Sequence, residues 1–273
     1  MLRYVGFALL LTGCARYRQP MGLAPAAQTG GYVNVSVRVD SLRLLDPARN
    51  RLIPVATYGP AGEVRGRKLR IALLNHGYGG RNTEYSFLAR ALVAHGYFVA
   101  SIQHELPGDE PIANTGKLVE TRRPNWQRGV ESMRFVLREL HRIHPSLSHR
   151  HTLLVGHSNG GDMVMLFAQQ YAELVGEVIT LDNRRMPFPR SARPRLLSLR
   201  SGDQQADTGV LPSPAEQARW NMQVVTMPAT RHNDMWDGAT EERKQEMVAL
   251  ISRFLANGKP WFRRSGPALH NRP

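Results

Sequence analysis

His151-Thr152-Leu153-Leu154-Val155-Gly156-His157-Ser158-Asn159-Gly160-Gly161 is the stretch from which the rest of the chain can be read. Its first five residues make a short apolar run suited to a buried strand. Beyond it, between Asp162 and Tyr171, Met163, Leu166 and Phe167 stand at helical spacing. A strand, then G-x-S-x-G, then a helix is the context in which that pentapeptide defines a sharp turn with a serine at its tip. A side chain at 156 or 160 would collide with the neighbouring strand or helix, so glycine is expected at both. The turn lifts the Ser158 hydroxyl clear of the sheet, and the helix beginning there aims its positive end at the same spot.

Outward from this turn the chain alternates. Tyr32–Val39 switches between apolar and polar residues as a half-exposed strand, Asp46-Pro47 begins a turn, and Arg51–Tyr58 reads as the next strand. Leu69–Leu74 is an apolar strand ending at Asn75-His76-Gly77. A helix from about Thr83 carries Tyr85, Leu88, Ala89, Leu92 and Val93 on one face and stops at Gly96. Tyr97–Ile102 is again a strand, and Gln103 to Pro124 is a loop long enough to wall a pocket. Trp126, Val130, Met133, Leu137 and Leu140 mark an amphipathic helix. Glu177–Leu181, Arg195–Leu199 and Met222–Met227 predict three more strands. A final helix from about Thr240 would bury Met247, Leu250, Ile251, Phe254 and Leu255. Strands alternating with amphipathic helices predict a mostly parallel α/β sheet covered on both faces, with the first two strands as an antiparallel edge. Neither repeats nor a second composition zone interrupt residues 31–258, which read as one domain.

A serine hydroxyl needs a base to take its proton, and the base needs a partner to orient it. His232, in Ala229-Thr230-Arg231-His232-Asn233-Asp234, lies after the last strand and before the final helix, where an imidazole can swing over Ser158. Three aspartates compete as the orienting acid. Asp203 and Asp207, in the segment after Arg195–Ser201, stand as near equals. Asp182, at the end of the preceding strand, is the third candidate. Attack on a carbonyl places negative charge on its oxygen, so two backbone amides must point there. Asn159, following the serine, would supply one. The other would come from Asn75-His76-Gly77-Tyr78-Gly79-Gly80, with Tyr78 as donor; its His-Gly start is similar to an HG-type oxyanion loop.

These residues give the chain, from about Asn50 to Leu255, a resemblance to the α/β-hydrolases. His76-Gly77 and Ala94-His95-Gly96-Tyr97-Phe98-Val99, after Asp46–Val55, are similar to the branch of dienelactone-hydrolase-like and platelet-activating-factor-acetylhydrolase-like enzymes. The resemblance implies the α/β-hydrolase fold without a large cap domain, the order Ser, acid, His, and cleavage of esters or lactones without a cofactor. Ser158 stands where true dienelactone hydrolases carry cysteine, which favours esterase chemistry on a small-molecule ester or thioester. A peptidase, an amidase or an acyltransferase would use the same triad, and a non-catalytic binding protein is the reading of another class. Arg184, Arg185, Arg190 and Arg193 lie between two strands near the site and would favour acidic acyl or phospholipid-like substrates.

The 273 residues suffice for a core that needs no disulfide, and the one cysteine, Cys14, permits none within the chain. No Cys/His cluster has metal-binding spacing. Arg3, the apolar run Val5–Leu11 and Leu11-Thr12-Gly13-Cys14 read as an export signal whose end resembles a bacterial lipobox. Residues 1–13 would be removed, Cys14 lipidated and the protein anchored to a bacterial membrane on its outer side. Residues 14–30, rich in Ala, Gln, Gly and Pro, would be a flexible tether, and residues 259–273 a basic disordered tail. The net charge of +14 is spread along the chain without an aromatic-interleaved basic stripe, so no nucleic-acid partner is expected.

Overall fold

The computed structural model describes residues 35–62 and 68–257. The proposed signal, Cys14, the tether and the tail lie outside the described residues. An eight-stranded sheet forms the centre. In chain order its strands are β1 (Val37–Asp46), β2 (Arg51–Pro60), β3 (Arg70–Asn75), β4 (Tyr97–Ile102), β5 (Ser148–His157), β6 (Val175–Leu181), β7 (Arg195–Ser201) and β8 (Met222–Met227). The helices are α1 (Ser86–Ala94), α2 (Leu118–Thr121), α3 (Arg123–Ile143), α4 (Ser158–Gln170), α5 (Pro214–Trp220) and α6 (Glu241–Ala256). The first strand lies later than the predicted Tyr32–Val39: it begins at Val37 and continues to Asp46, all ten of its residues pairing with β2. The segment predicted as one long loop contains α2, and α5 is a helix the periodicity does not reveal. A capping box between Ser213 and Glu216 starts α5, with Pro214 at its first position.

Spatial order across the sheet is β1-β2-β4-β3-β5-β6-β7-β8. β1 and β2 form the antiparallel edge, and the other six strands run parallel. The chain leaves β3 in one direction to β4, then crosses back to lay β5 on β3's other side. Such a reversal opens a crevice beyond the strands' carboxyl ends, where open α/β sheets hold their ligands. The segments that meet there are Asn75–Gly80 and the Ser158 turn.

Period-two alternation sorts β5 onto both faces. Leu154 joins the cluster of α3 and α4, with Trp126, Val130, Met133, Leu140 and Phe167. Leu153 and Val155 join that of α1 and α6, with Leu88, Leu92, Met247, Ile251 and Phe254. Trp126 and Phe167 are completely buried, and burying such a ring stabilises by about 2–3 kcal/mol each. On α6 it is Val248 that joins the buried stripe, while Leu250 packs only partly against it.

Candidate active site

Ser158 is the first residue of α4, with φ +50°, a left-handed conformation that a side chain occupies only where its surroundings enforce it. The enforcement is close packing. A Cβ on Gly156 would run into the Gly160 carbonyl, and one on Gly160 into the carbonyls of Asn75 and His76 at the end of β3. The elbow lies so close to the neighbouring strand that only bare backbone fits.

His232 occupies a short turn, His232–Asp234, after β8. Its Nε2 is 2.9 Å from Ser158 Oγ, and its Nδ1 is 2.6 Å from Asp182 Oδ2. A carboxylate only accepts, so Nδ1 carries the proton and Nε2 offers a lone pair to the serine hydroxyl. Asp182, directly after β6, is completely buried and also sits at positive φ, +56°. Its carboxylate further accepts the Ser201 hydroxyl at 2.7 Å and the Ser201 amide at 3.2 Å, and it pairs with Arg200 at 2.9 Å. Burial alone would raise this carboxyl. The His232 hydrogen bond, the Arg200 charge and the two Ser201 donors outweigh it and hold Asp182 below the ordinary range, so it stays ionised.

The other two aspartates have different tasks. Asp203, exposed at the end of β7, accepts the backbone N–H of His232 at 2.8 Å and leaves the imidazole alone. Asp207, also exposed, lies 3.9 Å from the Arg185 side chain and gives its own amide to the Arg184 carbonyl. Of the three candidate acids, the structure brings Asp182 to the His232 ring and keeps Asp203 and Asp207 away from it. Parallel register places the end of β6 beside His157 of β5, within reach of an imidazole arching over from β8, whereas Asp203 meets only that residue's main chain.

On the opposite side of Ser158, the Asn159 amide falls in the first turn of α4, where a helix offers no internal acceptor. The Asn159 side chain is fixed from α3: it accepts from Trp126 Nε1 at 2.8 Å and donates to Asn125 at 2.9 Å. Gly77 opens a tight turn closed by the Gly80 amide on its carbonyl at 3.0 Å, with Gly79 at φ +76°. This bond leaves the Tyr78 amide outside the turn's own pairing. A Cβ on Gly77 would lie 3.5 Å from that of Ser158, so the turn rests directly against the elbow. The half-exposed Tyr78 accepts the Ile112 amide on its hydroxyl at 3.2 Å, linking this turn to the loop after β4.

Beneath the turn lies a buried polar group of three. His76 donates from Nδ1 to the Gly77 carbonyl at 2.7 Å and accepts the His104 amide at 3.0 Å. His104 bonds Asn75 at 2.8 Å. Glu105 stands 3.4 Å from His76, yet burial keeps His76 neutral, so the contact is not an ion pair. Burial pushes Glu105 up to about 7.

The arginines expected near the site divide. Arg190 is consumed by carbonyls at 188, 209, 210 and 211 and by Glu216, so it braces the chain before α5 and cannot serve a substrate. The amides of Arg184, Arg185 and Met186 converge on one oxygen of buried Asp162, and Arg184 reaches Gln204 at 2.7 Å. The loop after β4 helps to wall a cavity of about 850 Å³ lined by Leu106, Asp109, Arg51 and Arg128 among others, which includes neither Ser158 nor His232. Arg51 and Arg128 there are already committed to Asp109.

No protein-family model matches the chain, and no curated protein matches it in sequence. Its fold matches solved structures over most of its length. A ferulic acid esterase from Streptomyces cinnamoneus, 16% identical, aligns over 88% of this chain and 94% of its own with a TM-score of 0.59. An S-formylglutathione hydrolase from Staphylococcus aureus, 14% identical, aligns over 80% of this chain and 99% of its own at 0.57. A thermophilic esterase from Thermogutta terrifontis, crystallised with butyrate, is 11% identical and aligns over 81% of this chain and 93% of its own at 0.58. At these identities the likeness shows the fold, which is that of the α/β-hydrolases; no cap domain interrupts the described residues.

Proposed function

We propose that the protein is a serine hydrolase that cleaves a carboxylic ester through an acyl-enzyme. The observation that carries this reading is the unbroken run from Ser158 Oγ to His232 Nε2 and from His232 Nδ1 to the ionised Asp182, at 2.9 and 2.6 Å. Ser158 Oγ attacks the acyl carbonyl carbon while His232 Nε2 takes its proton. Asp182 accepts from Nδ1–H throughout and stabilises the imidazolium. The Asn159 and Tyr78 amides receive the developing oxyanion. As the tetrahedral adduct collapses, the imidazolium protonates the leaving alkoxide. Water, deprotonated by the same histidine, then attacks the acyl-enzyme and releases the acid. Every group these steps require comes from the chain, so the reaction calls for no cofactor.

A small ester is the substrate class of this proposal. The structural neighbours, a ferulic acid esterase and a butyrate-bound esterase among them, favour ester over amide. Fluorophosphonate labelling together with turnover of p-nitrophenyl esters tests the proposal. Both are expected in the wild type and both vanish in Ser158→Ala. An unlabelled, inactive wild type would refute it.

A further inference from the structure

His157 stands inside the elbow, one residue before the nucleophile, and none of the steps above employs it. It is buried, with its ring 4.9 Å from that of His232, centre to centre. Its Nε2 lies 3.1 Å from the His232 carbonyl oxygen. A carbonyl can only accept, so Nε2 carries the proton and Nδ1 is left as an acceptor. The Tyr85 hydroxyl, 2.7 Å away, donates to it. The Tyr85 oxygen in turn accepts the Gly77 amide at 3.2 Å. All the donors therefore run one way, from Gly77 through Tyr85 and His157 to His232. Burial first, then the neighbouring His232, holds His157 down to about 3, so the ring stays neutral and keeps this tautomer.

The two ends of this run are the two parts of the site that need placing against Ser158. Gly77 opens the turn carrying the Tyr78 amide. His232 is the base, and its main chain is gripped twice: Asp203 holds its N–H and His157 its C=O. We infer that His157 and Tyr85 are positioning residues that lock the oxyanion turn and the base in one register about the nucleophile. This inference rests on Ser158 and His232 being the working pair. A displacement of about 1 Å in such a constellation costs on the order of 100-fold in rate, so the lock acts on kcat and not on affinity.

The three positions can be separated chemically. Asparagine places its side-chain oxygen where a histidine has Nδ1, so His157→Asn keeps the Tyr85 contact and loses the grip on His232. Glutamine reaches the Nε2 position, so His157→Gln keeps that grip and gives up the Tyr85 contact. Tyr85→Phe removes one oxygen and no packing, and it keeps the test open should the His157 variants fail to fold. The measurements are kcat and KM on a p-nitrophenyl ester and the rate of fluorophosphonate labelling, with Ser158→Ala as control. Tyr85→Phe, which removes two buried hydrogen bonds, and His157→Asn, which removes one, are expected to lower kcat and labelling roughly 10- to 100-fold, with KM within about two-fold. His157→Gln, which cuts the run at Tyr85 instead of at His232, is expected to lower kcat by a similar factor. Full kcat in Tyr85→Phe or in either His157 variant, or losses confined to KM, would overturn the positioning role while leaving the hydrolase intact. A wild type that the probe does not label would overturn both.

Discussion

Asp182, Asp203 and Asp207 are chemically identical, and what separates them is what each carboxylate meets. Asp182 meets an imidazole N–H, and its amide would hold that ring in the wrong tautomer. Asp182→Asn is expected to lower kcat by about 10⁴-fold, as loss of a triad acid does. Asp203→Ala removes one bond to the His232 main chain and should lower kcat by roughly 5-fold, the worth of about 1 kcal/mol. Asp207→Ala should leave kcat within two-fold. Steady-state turnover of one ester by the three variants ranks them; an Asp203 effect as large as the Asp182 effect would contradict the assignment. Gly160 has no comparable latitude. Gly160→Ala drives a methyl group into two backbone carbonyls that cannot step aside, and little soluble folded protein is expected on expression.

At the scale of elements, the loop after β4 carries a partly buried carboxyl, Glu105, beside His76, and its energetics can be measured. Glu105, beside the oxyanion turn, ionises at about 7, against about 4.3 for a glutamate in an unfolded chain. Its favourable contribution is complete below about pH 4. It is lost as pH rises through 7, because the unfolded chain gives up its proton first. Glu105→Gln has no such proton. It should raise stability by on the order of 1–3 kcal/mol at pH 8, with the gain shrinking toward zero near pH 4, as followed by denaturant melts. A gain that does not vary with pH would remove burial as the cause. Farther from the site, Ser213→Ala breaks the capping box of α5 and should lower stability by about 1 kcal/mol without changing turnover.

For the molecule as a whole, the reversal of strand order at β3 fixes where chemistry can occur, and the two core clusters fix the sheet beneath it. The proposed lipid on Cys14 concerns location and not catalysis. Acyl chains contribute about 0.8 kcal/mol per buried methylene, so a lipidated protein should partition with the membrane. Expressed in a bacterium with its N-terminus, the wild type is expected to partition into detergent and to incorporate labelled palmitate. Cys14→Ser should do neither while keeping its esterase activity per folded molecule. Unlipidated wild type would end the anchoring proposal and leave the enzyme untouched.

Much of this protein was legible in its residues, because the properties concerned are local. Apolar periods placed the strands after the first and the long helices, and glycines at 156 and 160 around Ser158 declared a turn too tight for side chains. His232 was legible from its place between the last strand and last helix. Which aspartate faces the His232 ring was not, since any aspartate after a strand reads alike until the register of β6 and β7 brings Ser201 and Arg200 to one of them. The run through Tyr85 and His157 was equally hidden, because it joins residues 72 and 75 positions apart through a buried hydroxyl and a ring whose tautomer only its neighbours define. Sequence determined which reactive side chains the chain offers and the turn that presents Ser158, through backbone sterics and side-chain type. Only the packing of distant strands decided which groups share a proton, because hydrogen bonds act over about 3 Å and chain separation says nothing about that distance.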